Sequence, residues 1–427
     1  MARWHSGRWQ NDHVTGPRRD RRSGDYRAYE PDALVGSALA LEADTDGKVA
    51  AAERAVQALN QDAHDLAGIS RFLLRSEAIA SSRIEGIAPS ARQVALAELG
   101  QSEDVRGVSD PARLVANNMT VVRDATTRLM TVDVVGVSDV EELHRALLPD
   151  QPLLHGIRSA QNWIGGSDWH PLDAEFVPPP PHLVVPLIED LLTYLNGAAH
   201  SPIVQAALVH AQFETIHPFS DGNGRVGRAL IHTVLARRGL THDTVLPISL
   251  VLATLSSQYI AGLTQYRHDG EPGSQTALAA RGAWIDRFAE AAVLAAEQAT
   301  QIGQEIREAR DEWHERLTSQ RQGKRSLRSD SATSAILKEL PATPVLTART
   351  VERIHGVSRP AATRALEELL SAGVLESRTI GRDRTAYVAR DILELITWAE
   401  RRLPSTKFDT RQSRPHAGVP AAPEESR

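Results

Sequence analysis

The sequence contains no cysteine among its 427 residues. This absence excludes disulfide bonds and cysteine-ligated metal sites, and a reducing compartment is the simplest setting for such a chain. No apolar run approaches the roughly 18 residues that a membrane-spanning helix needs. The N-terminal segment also lacks the apolar core of a signal peptide. These absences predict a cytoplasmic protein without a membrane segment.

Aromatic residues are scarce, at 4% of the chain, whereas hydrophobic residues reach 41% and the net charge is −6. Abundant Ala and Leu predict a mainly α protein, and the length corresponds to about two or three domains. Unpatterned charged ends predict disordered tails, and a polar basic stretch predicts a linker. The predicted boundaries are a disordered basic tail at 1–28, an N-terminal helical region at 29–104, a catalytic core at 105–310, a linker at 311–330, a small α/β domain at 331–395 and a disordered tail at 404–427.

One stretch, His217–Arg228, combines glycine with polar and charged residues in the sequence HPFSDGNGRVGR. Gly222 and Gly224 can adopt positive φ, so successive backbone N–H groups can turn inward and form an anion-binding nest. A helix that begins near Asn223 would add its free N–H groups and the positive end of its dipole. The stretch therefore predicts a phosphate-binding loop.

Four side chains of this stretch carry matching chemistry. Arg225 and Arg228 lie three residues apart on the predicted helix, so both can reach the same polyphosphate. Asp221 offers oxygen ligands to Mg²⁺, which normally binds one or two carboxylates together with substrate phosphates. His217 has the side chain suited to general-base work near neutral pH. Together they predict a site that handles phosphates beside a base.

The same residues match the signature H-P-F-x-[D/E]-G-N-G-R-x-x-R of the Fic family letter for letter. The resemblance implies a Fic-type helical bundle that transfers the AMP part of ATP to a hydroxyl of a target protein. It implies that His217 is the base and Asp221 the Mg²⁺ ligand. The residues that it implies for holding the ATP phosphates are Gly222, Asn223, Gly224, Arg225 and Arg228.

A second motif, Ser81–Gly86, ends a predicted helix. Gly86 is typical of a helix end, which places Glu85 where the helix dipole disfavours a carboxylate. Alone, this fragment is typical of an ordinary surface glutamate. It also resembles the inhibitory helix [S/T]-x-x-x-E-[G/N] of a subset of Fic proteins. That resemblance implies that Ser81 and Glu85 are inhibitory residues, and that Glu85 pairs with Arg228 so that ATP cannot bind productively.

Two short β-type runs, within Gly156–Gly166 and Ala174–Val177, predict a hairpin. An exposed strand edge can bind an extended peptide through main-chain hydrogen bonds. The hairpin is similar to the Fic flap, which positions the acceptor residue of the target, and a hairpin that only closes the bundle is the alternative. The flap residues that this resemblance implies are Gln161, Asn162, Trp163 and Ile164.

For each of two residues outside the motif, a functional role competes with a role in core packing. His210 is a second candidate base, but a hydrogen-bonded core histidine is the more typical role for such a residue. Tyr259 is a candidate contact for the base or ribose of ATP, and packing is again the alternative.

The C-terminal third changes pattern after the linker. Helices are predicted over 336–340, 347–355 and 358–370, followed by two strands that flank Gly381. This order resembles a winged helix-turn-helix domain. Its arginines could meet nucleic-acid phosphates, but interspersed acidic residues leave a protein-docking role open.

The favoured function is an autoinhibited protein adenylyltransferase that acts on a Ser, Thr or Tyr hydroxyl, with ATP and Mg²⁺. The first alternative is removal of AMP, in which Glu85 would position a water molecule. The second is a nucleotide-sensing, DNA-binding regulator. The partners that follow are a target protein, the chain itself through self-AMPylation, a second copy in a homodimer, and DNA or protein at the winged helix. Kinase-like transfer is disfavoured because Gly222 and Gly224 are both intact.

Overall fold

The structure, a computed structural model, describes residues 1–11, 17, 20–64, 68–242, 244–321, 327–382 and 384–407. Most of these residues are helical, which confirms the prediction of a mainly α fold. The helices are α1 (Ala43–His64), α2 (Ile69–Ile84), α3 (Ala91–Gly100), α4 (Asp110–Thr126), α5 (Arg128–Thr131), α6 (Val137–Leu147), α7 (Pro181–Asn196), α8 (Pro202–Ile216), α9 (Asn223–Arg237), α10 (Ile248–Thr254), α11 (Ser256–Tyr266), α12 (Gln275–Gln320), α13 (Ala332–Glu339), α14 (Ala348–His355), α15 (Arg359–Ser371) and α16 (Arg390–Lys407). None of these helices is long and apolar enough to span a bilayer.

The strands of the described chain form two small antiparallel sheets. They are β1 (Arg3–Trp9), β2 (Gly24–Glu30), β3 (Val345–Leu346), β4 (Glu376–Gly381) and β5 (Arg384–Val388). In the first sheet, β1 pairs with β2 and Arg3 lies opposite Glu30. The second sheet has the order β3-β5-β4, and Val388 of β5 lies opposite both Val345 and Glu376.

The chain divides into two compact units, each built from three stretches of sequence. Unit 1 comprises Met1–Gln57, Thr120–His242 and Tyr259–Val293, and unit 2 comprises Ala58–Met119, Asp243–Gln258 and Leu294–Arg427. The stretch His217–Arg228 therefore lies in unit 1, and the motif Ser81–Gly86 lies in unit 2.

Helices α8 and α9 form the centre of unit 1. Every residue from Ile203 to Ile216 and from Asn223 to Ala236 is buried. Helices that are buried on all sides are the core of a bundle, and here α5, α6 and α7 pack around this pair. Trp284 is fully buried in the same unit, and its indole N–H donates to the Ala207 carbonyl at 2.7 Å.

The N-terminal hairpin of unit 1 corrects the prediction of a disordered tail at 1–28. Residues 3–9 and 24–30 pair as β1 and β2, while 12–16 and 18–19 lie outside the described residues. The aromatic side chains explain the order. Trp4 contacts Tyr29 edge to face at 5.0 Å between ring centroids, and Trp9 contacts Trp163 in the same way at 5.3 Å. The Arg-rich composition did not reveal these contacts, because each of them joins two rings that lie far apart in sequence.

Helix α2 is fixed within unit 2 by two buried charged residues. The Glu77 carboxylate is fully buried and accepts the backbone N–H of Ser249, in the first turn of α10, at 2.8 Å. The guanidinium of Arg75, also fully buried, contacts Glu98 of α3 at 2.9 Å and donates to the Ala342 carbonyl at 2.7 Å. A carboxylate at a helix N-terminus is a favourable cap.

The predicted linker at 311–330 is helical over its first half. Helix α12 continues to Gln320, and residues 322–326 lie outside the described residues. Trp313 and Leu317, four residues apart on one face, are both buried, and the Trp313 indole donates to Asp391 at 2.9 Å. Thr318, Ser319 and Gln320, which contributed to the linker prediction, are exposed residues of this helix.

The C-terminal elements follow the predicted order. Three short helices, α13 to α15, precede the wing strands β4 and β5, and Gly356 makes the αL turn after α14 with φ +64°. The assignment as a winged helix-turn-helix stays a prediction. Helix α16 ends at Lys407, so residues 404–407 are helical rather than a disordered tail, and 408–427 lie outside the described residues.

Candidate active site

The loop between α8 and α9 is bounded by two left-handed residues. Helix α8 ends at Ile216, and His217 then has φ +51° and ψ +63°. Helix α9 begins at Asn223, directly after Gly222 with φ +80°. Among the described residues, His217 is the only non-glycine with positive φ. This conformation costs an L-residue about 1–2 kcal/mol, so the surrounding contacts must hold it.

The backbone of His217 is held on both sides. Its N–H donates to the Phe213 carbonyl at 2.9 Å, which continues the helical pattern. Its carbonyl accepts the Arg158 Nε–H at 2.8 Å and the Asn162 amide at 3.3 Å. The half-buried imidazole of the predicted base is therefore carried by a backbone that several side chains fix.

Asn223 braces the loop through its side-chain amide. Its Oδ1 accepts the Phe219 N–H, and its Nδ2 donates to the Phe219 carbonyl, both at 2.8 Å. The Phe219 ring is fully buried and stacks on His144 at 3.9 Å between ring centroids. His144 in turn contacts the Asp221 carbonyl through Nε2 at 2.9 Å. Burial lowers the pKa of His144, which keeps its imidazole neutral near pH 7.

Gly222 and Gly224 have different roles. Gly222 occupies the left-handed region, and a Cβ there would come within 2.9 Å of Leu147 Cδ2. Gly224 instead is the second residue of α9 and does not have positive φ, so the prediction that both glycines turn the chain is wrong for Gly224. The first N–H groups of a helix lack intrahelical acceptors. The start of α9 is therefore the part of the loop whose N–H groups are suited to accept an anion.

Arg225 and Arg228 both belong to the first turns of α9 and are almost wholly buried, at 2% and 1% exposure. Arg225 Nη2 lies 3.6 Å from Asp221 Oδ1. A guanidinium that is already desolvated binds a phosphate more strongly than an exposed one, because the effective dielectric is lower.

Asp221 is the one motif carboxylate, and its side chain is 55% exposed. Its Oδ1 accepts the Gly222 N–H at 2.6 Å. The described residues contain no cluster of three or more acidic or histidine side chains that could hold a metal. One exposed carboxylate beside an anion site fits Mg²⁺ that arrives with a nucleotide, since that ion takes its other ligands from phosphates and water.

The predicted flap is not a regular hairpin. Its two segments meet at one isolated bridge, in which Ile164 N–H donates to the Phe176 carbonyl at 2.8 Å and Phe176 N–H to the Ile164 carbonyl at 3.2 Å. Gly165 and Gly166 turn the chain with φ +74° and +75°, but a 3₁₀ turn at Pro171–Asp173 interrupts the ladder.

The other flap residues are held by hydrogen bonds within unit 1. Gln161 donates to the Pro178 carbonyl at 2.9 Å, and Asn162 donates to the Phe219 carbonyl at 3.0 Å. The Trp163 indole donates to the Ser167 carbonyl at 2.6 Å. Asn162 also donates to the His217 carbonyl at 3.3 Å, which joins this segment to the loop after α8.

Tyr259 and His210 lie together in one aromatic cluster. The Tyr259 hydroxyl contacts His210 Nε2 at 2.9 Å, and the two rings stack at 5.8 Å between centroids. Tyr259 also lies 6.2 Å from Trp284. The alternative of core packing is therefore confirmed for His210, and Tyr259 is occupied in the same cluster.

Ser81 and Glu85 lie in unit 2, at the end of α2. Ser81 is buried in the last turns of the helix. Glu85 is exposed and follows the last helical residue, and Gly86 then has φ +77°. The predicted helix end is therefore confirmed.

Sequence reasoning missed Arg158. This guanidinium is 5% exposed and donates to carbonyl oxygens at the end of α8. Burial lowers its pKa to about 10. One feature of the sequence could have drawn attention to it: Arg158 is the only charged residue in the segment 156–166.

Comparison with known proteins finds a family model that matches the part of the chain around this site. Residues 134–235 match the model of the Fic/DOC family. The chain is similar to the protein adenylyltransferase fic-1 of Caenorhabditis elegans, with 28% identity over 184 residues that cover 40% of this chain and 34% of that protein. It is also similar to a probable protein adenylyltransferase of Aquifex aeolicus, with 43% identity over 75 residues that cover 17% of this chain and 23% of that protein.

These matches are partial: the chain spans only about a third of the first of these relatives. A crystal structure of a Fic family protein from Desulfovibrio desulfuricans G20 has a TM-score of 0.50 at 19% identity. It covers 82% of this chain and 97% of that chain. This likeness supports the fold of the chain.

Proposed function

We propose that this chain, which carries a Fic/DOC family domain over residues 134–235, is a protein adenylyltransferase that moves AMP from ATP to a side-chain hydroxyl of a target protein. One observation carries the proposal. A left-handed histidine ends α8, and the first N–H groups of α9 follow it after only a short loop. The similar proteins are named as adenylyltransferases, which supports the proposal.

In the proposed reaction, the loop supplies a base, His217, beside the groups that bind the phosphates. The acceptor hydroxyl loses its proton to the His217 imidazole, and its oxygen forms a bond to the α-phosphorus. The bond from that phosphorus to the bridging oxygen breaks, and pyrophosphate leaves. The N–H groups at the start of α9, together with Arg225 and Arg228, bind the phosphate oxygens as charge grows on them. Asp221 would hold Mg²⁺, which supplies charge neutralisation to the phosphates when bound.

Glu85 is proposed to repress this activity by pairing with Arg228 in place of the ATP γ-phosphate. The proposal rests on the motif Ser81–Gly86 and on an exposed carboxylate at a helix C-terminus, which gains by meeting a cation. Holding the competent state near about 1% requires only about 2.7 kcal/mol. A pair between Glu85 and the buried guanidinium of Arg228 would suffice, since removal of one partner from a buried ion pair costs about 3–5 kcal/mol.

The test is transfer of label from ATP radiolabelled at the α-phosphate, with Mg²⁺, into the protein itself and into bacterial lysate. Glu85→Gly should raise labelling by about 100-fold if the competent state rises from about 1% to nearly all molecules. Glu85→Gln keeps the side-chain shape without the charge and should act in the same direction. Adding His217→Ala to Glu85→Gly should abolish the label, because the base is lost.

Two other outcomes would contradict the proposal. If no variant labels any protein while nucleotide still binds, a regulator that senses nucleotide becomes the better interpretation. If Glu85→Gly instead destroys release of AMP from labelled protein, Glu85 serves removal of AMP.

A further inference from the structure

Arg158 is a buried cation whose partners are all backbone carbonyls. Its Nε donates to His217 O at 2.8 Å, and its Nη2 donates to Ile216 O at 3.3 Å. The same Nη2 donates to Pro179 O at 2.6 Å, and Nη1 donates to Ala160 O at 3.1 Å. Within the described chain it forms no ion pair with a carboxylate. A guanidinium is costly to bury without a counter-charge, so its place requires an explanation.

Part of the compensation comes from the end of α8. The last carbonyls of a helix have no intrahelical donor and carry the negative end of the dipole. Ile216 and His217 supply two such carbonyls to one planar fork of N–H groups. The backbone N–H of Arg158 adds a further bond, to the Pro218 carbonyl at 2.9 Å. Arg158 therefore holds three consecutive residues at the point where the chain enters its left-handed turn.

The other contacts of Arg158 lead to the two segments of the flap. Ala160 directly precedes the flap residues that begin at Gln161, and Pro179 follows the returning segment that ends at Val177. One side chain thus ties the backbone of the proposed base to both segments that would hold the target.

We infer that Arg158 is a positioning residue for the transfer reaction, which fixes the left-handed His217 backbone and its register against the flap. The inference rests on the proposed function for its kinetic consequence. The structural part of the inference does not depend on that function, because it concerns only the position of the His217 imidazole. Arginine is required because its donors are spread over a rigid plane that reaches four carbonyls. Lysine keeps the charge but donates from a single nitrogen, so it cannot bridge the end of α8 and both flap segments.

The experiment compares Arg158→Lys with Arg237→Lys, each in the Glu85→Gly background. Arg237 is a matched control, because it also donates to backbone carbonyls, those of Leu129 and Val132 at 2.8 and 2.7 Å, at the far end of α9. Arg158→Lys should lower kcat for labelling by about 100-fold, the scale expected for a misplaced catalytic group. The KM for ATP should stay within about twofold, since the phosphate site lies on α9. Arg237→Lys should change neither constant by more than about twofold.

A second readout keeps the inference testable without activity. In protein labelled with ¹³C at histidine, the His217 side-chain signal, assigned with His217→Ala, should shift or broaden in Arg158→Lys and stay in place in Arg237→Lys. If the Glu85→Gly protein labels nothing, the proposed function fails and this signal still decides the role of Arg158. The inference is overturned if the His217 signal is unchanged in Arg158→Lys. It is also overturned if the lost labelling follows from a raised KM for ATP or is matched by Arg237→Lys.

Discussion

Gly222 shows how one residue sets the geometry of the loop. Its φ of +80° turns the chain into α9, and Leu147 and His144 leave no room for a side chain. The sequence predicted this turn, because glycine has a distinct conformational signature. It could not predict the stacking of His144 on Phe219 or the carbonyl contacts of Arg158, because those contacts depend on packing between distant segments. The amide of Asn223, which the family resemblance assigns to phosphate, also braces the backbone of Phe219, four residues earlier.

Gly222→Ala should destabilise the protein by more than Gly239→Ala. Both residues have positive φ, at +80° and +67°, so both substitutions introduce about 1–2 kcal/mol of backbone strain. Only at Gly222 does the new Cβ also approach a neighbour within 2.9 Å, whereas at Gly239 the nearest atom is 3.7 Å away. Urea unfolding of the two variants measures the difference, and equal losses would show that the contact with Leu147 is unimportant.

The N-terminal hairpin is the element that sequence reasoning judged least well. Its charges were visible, but its order comes from Trp4, Tyr29, Trp9 and Trp163 meeting across long sequence separations. Tyr29 N–H also donates to the Val177 carbonyl at 2.9 Å, next to the flap segment. The short helices and strands after residue 331 were predicted well, because local caps and glycines define them.

Trp9→Ala should loosen the flap, because it removes an edge-to-face contact with Trp163 worth about 0.5–1.5 kcal/mol. Amide hydrogen exchange at residues 163–167 should accelerate by roughly 2- to 13-fold, which is that energy expressed as a rate ratio. Trp4→Ala serves as the control, since its ring contacts Tyr29 on the partner strand β2 and not Trp163. Equal acceleration in both variants would mean that each substitution weakens the hairpin as a whole, and that the contact of Trp9 with Trp163 has no separate effect on the flap.

At the scale of the whole molecule, helical periodicity locates the helices but does not say which of them pack together. Each compact unit is assembled from three separate stretches, and the contacts that define a unit are long-range. The core of unit 1 also buries ionisable groups, and His210, for which the sequence favoured a core position, is the clearest of them. Burial, followed by the nearby charge of Arg228, lowers the pKa of His210 to about 3.

This burial predicts a loss of stability in acid. The folded pKa lies below the ordinary value of 6.5, so the unfolded chain binds the proton first. The stability is fully present above about pH 6.5 and declines by about 1.4 kcal/mol per pH unit as the pH falls toward the folded value. His210→Gln should flatten the dependence of the urea midpoint on pH over this window. Parallel curves for wild type and variant would refute the assignment.

The left-handed conformation of His217 also bears on how easily this residue could be lost by mutation. Glycine adopts the backbone of residue 217 without the penalty that an L-side chain pays. A gene copy released from selection could therefore lose its base by a substitution that relieves the turn, at little risk to the fold. Substitution of His217 by glycine would relieve the backbone strain, whereas the reverse substitution would restore it. The histidine at 217 is therefore kept at a cost in backbone energy, which fits the role of base that we propose for it.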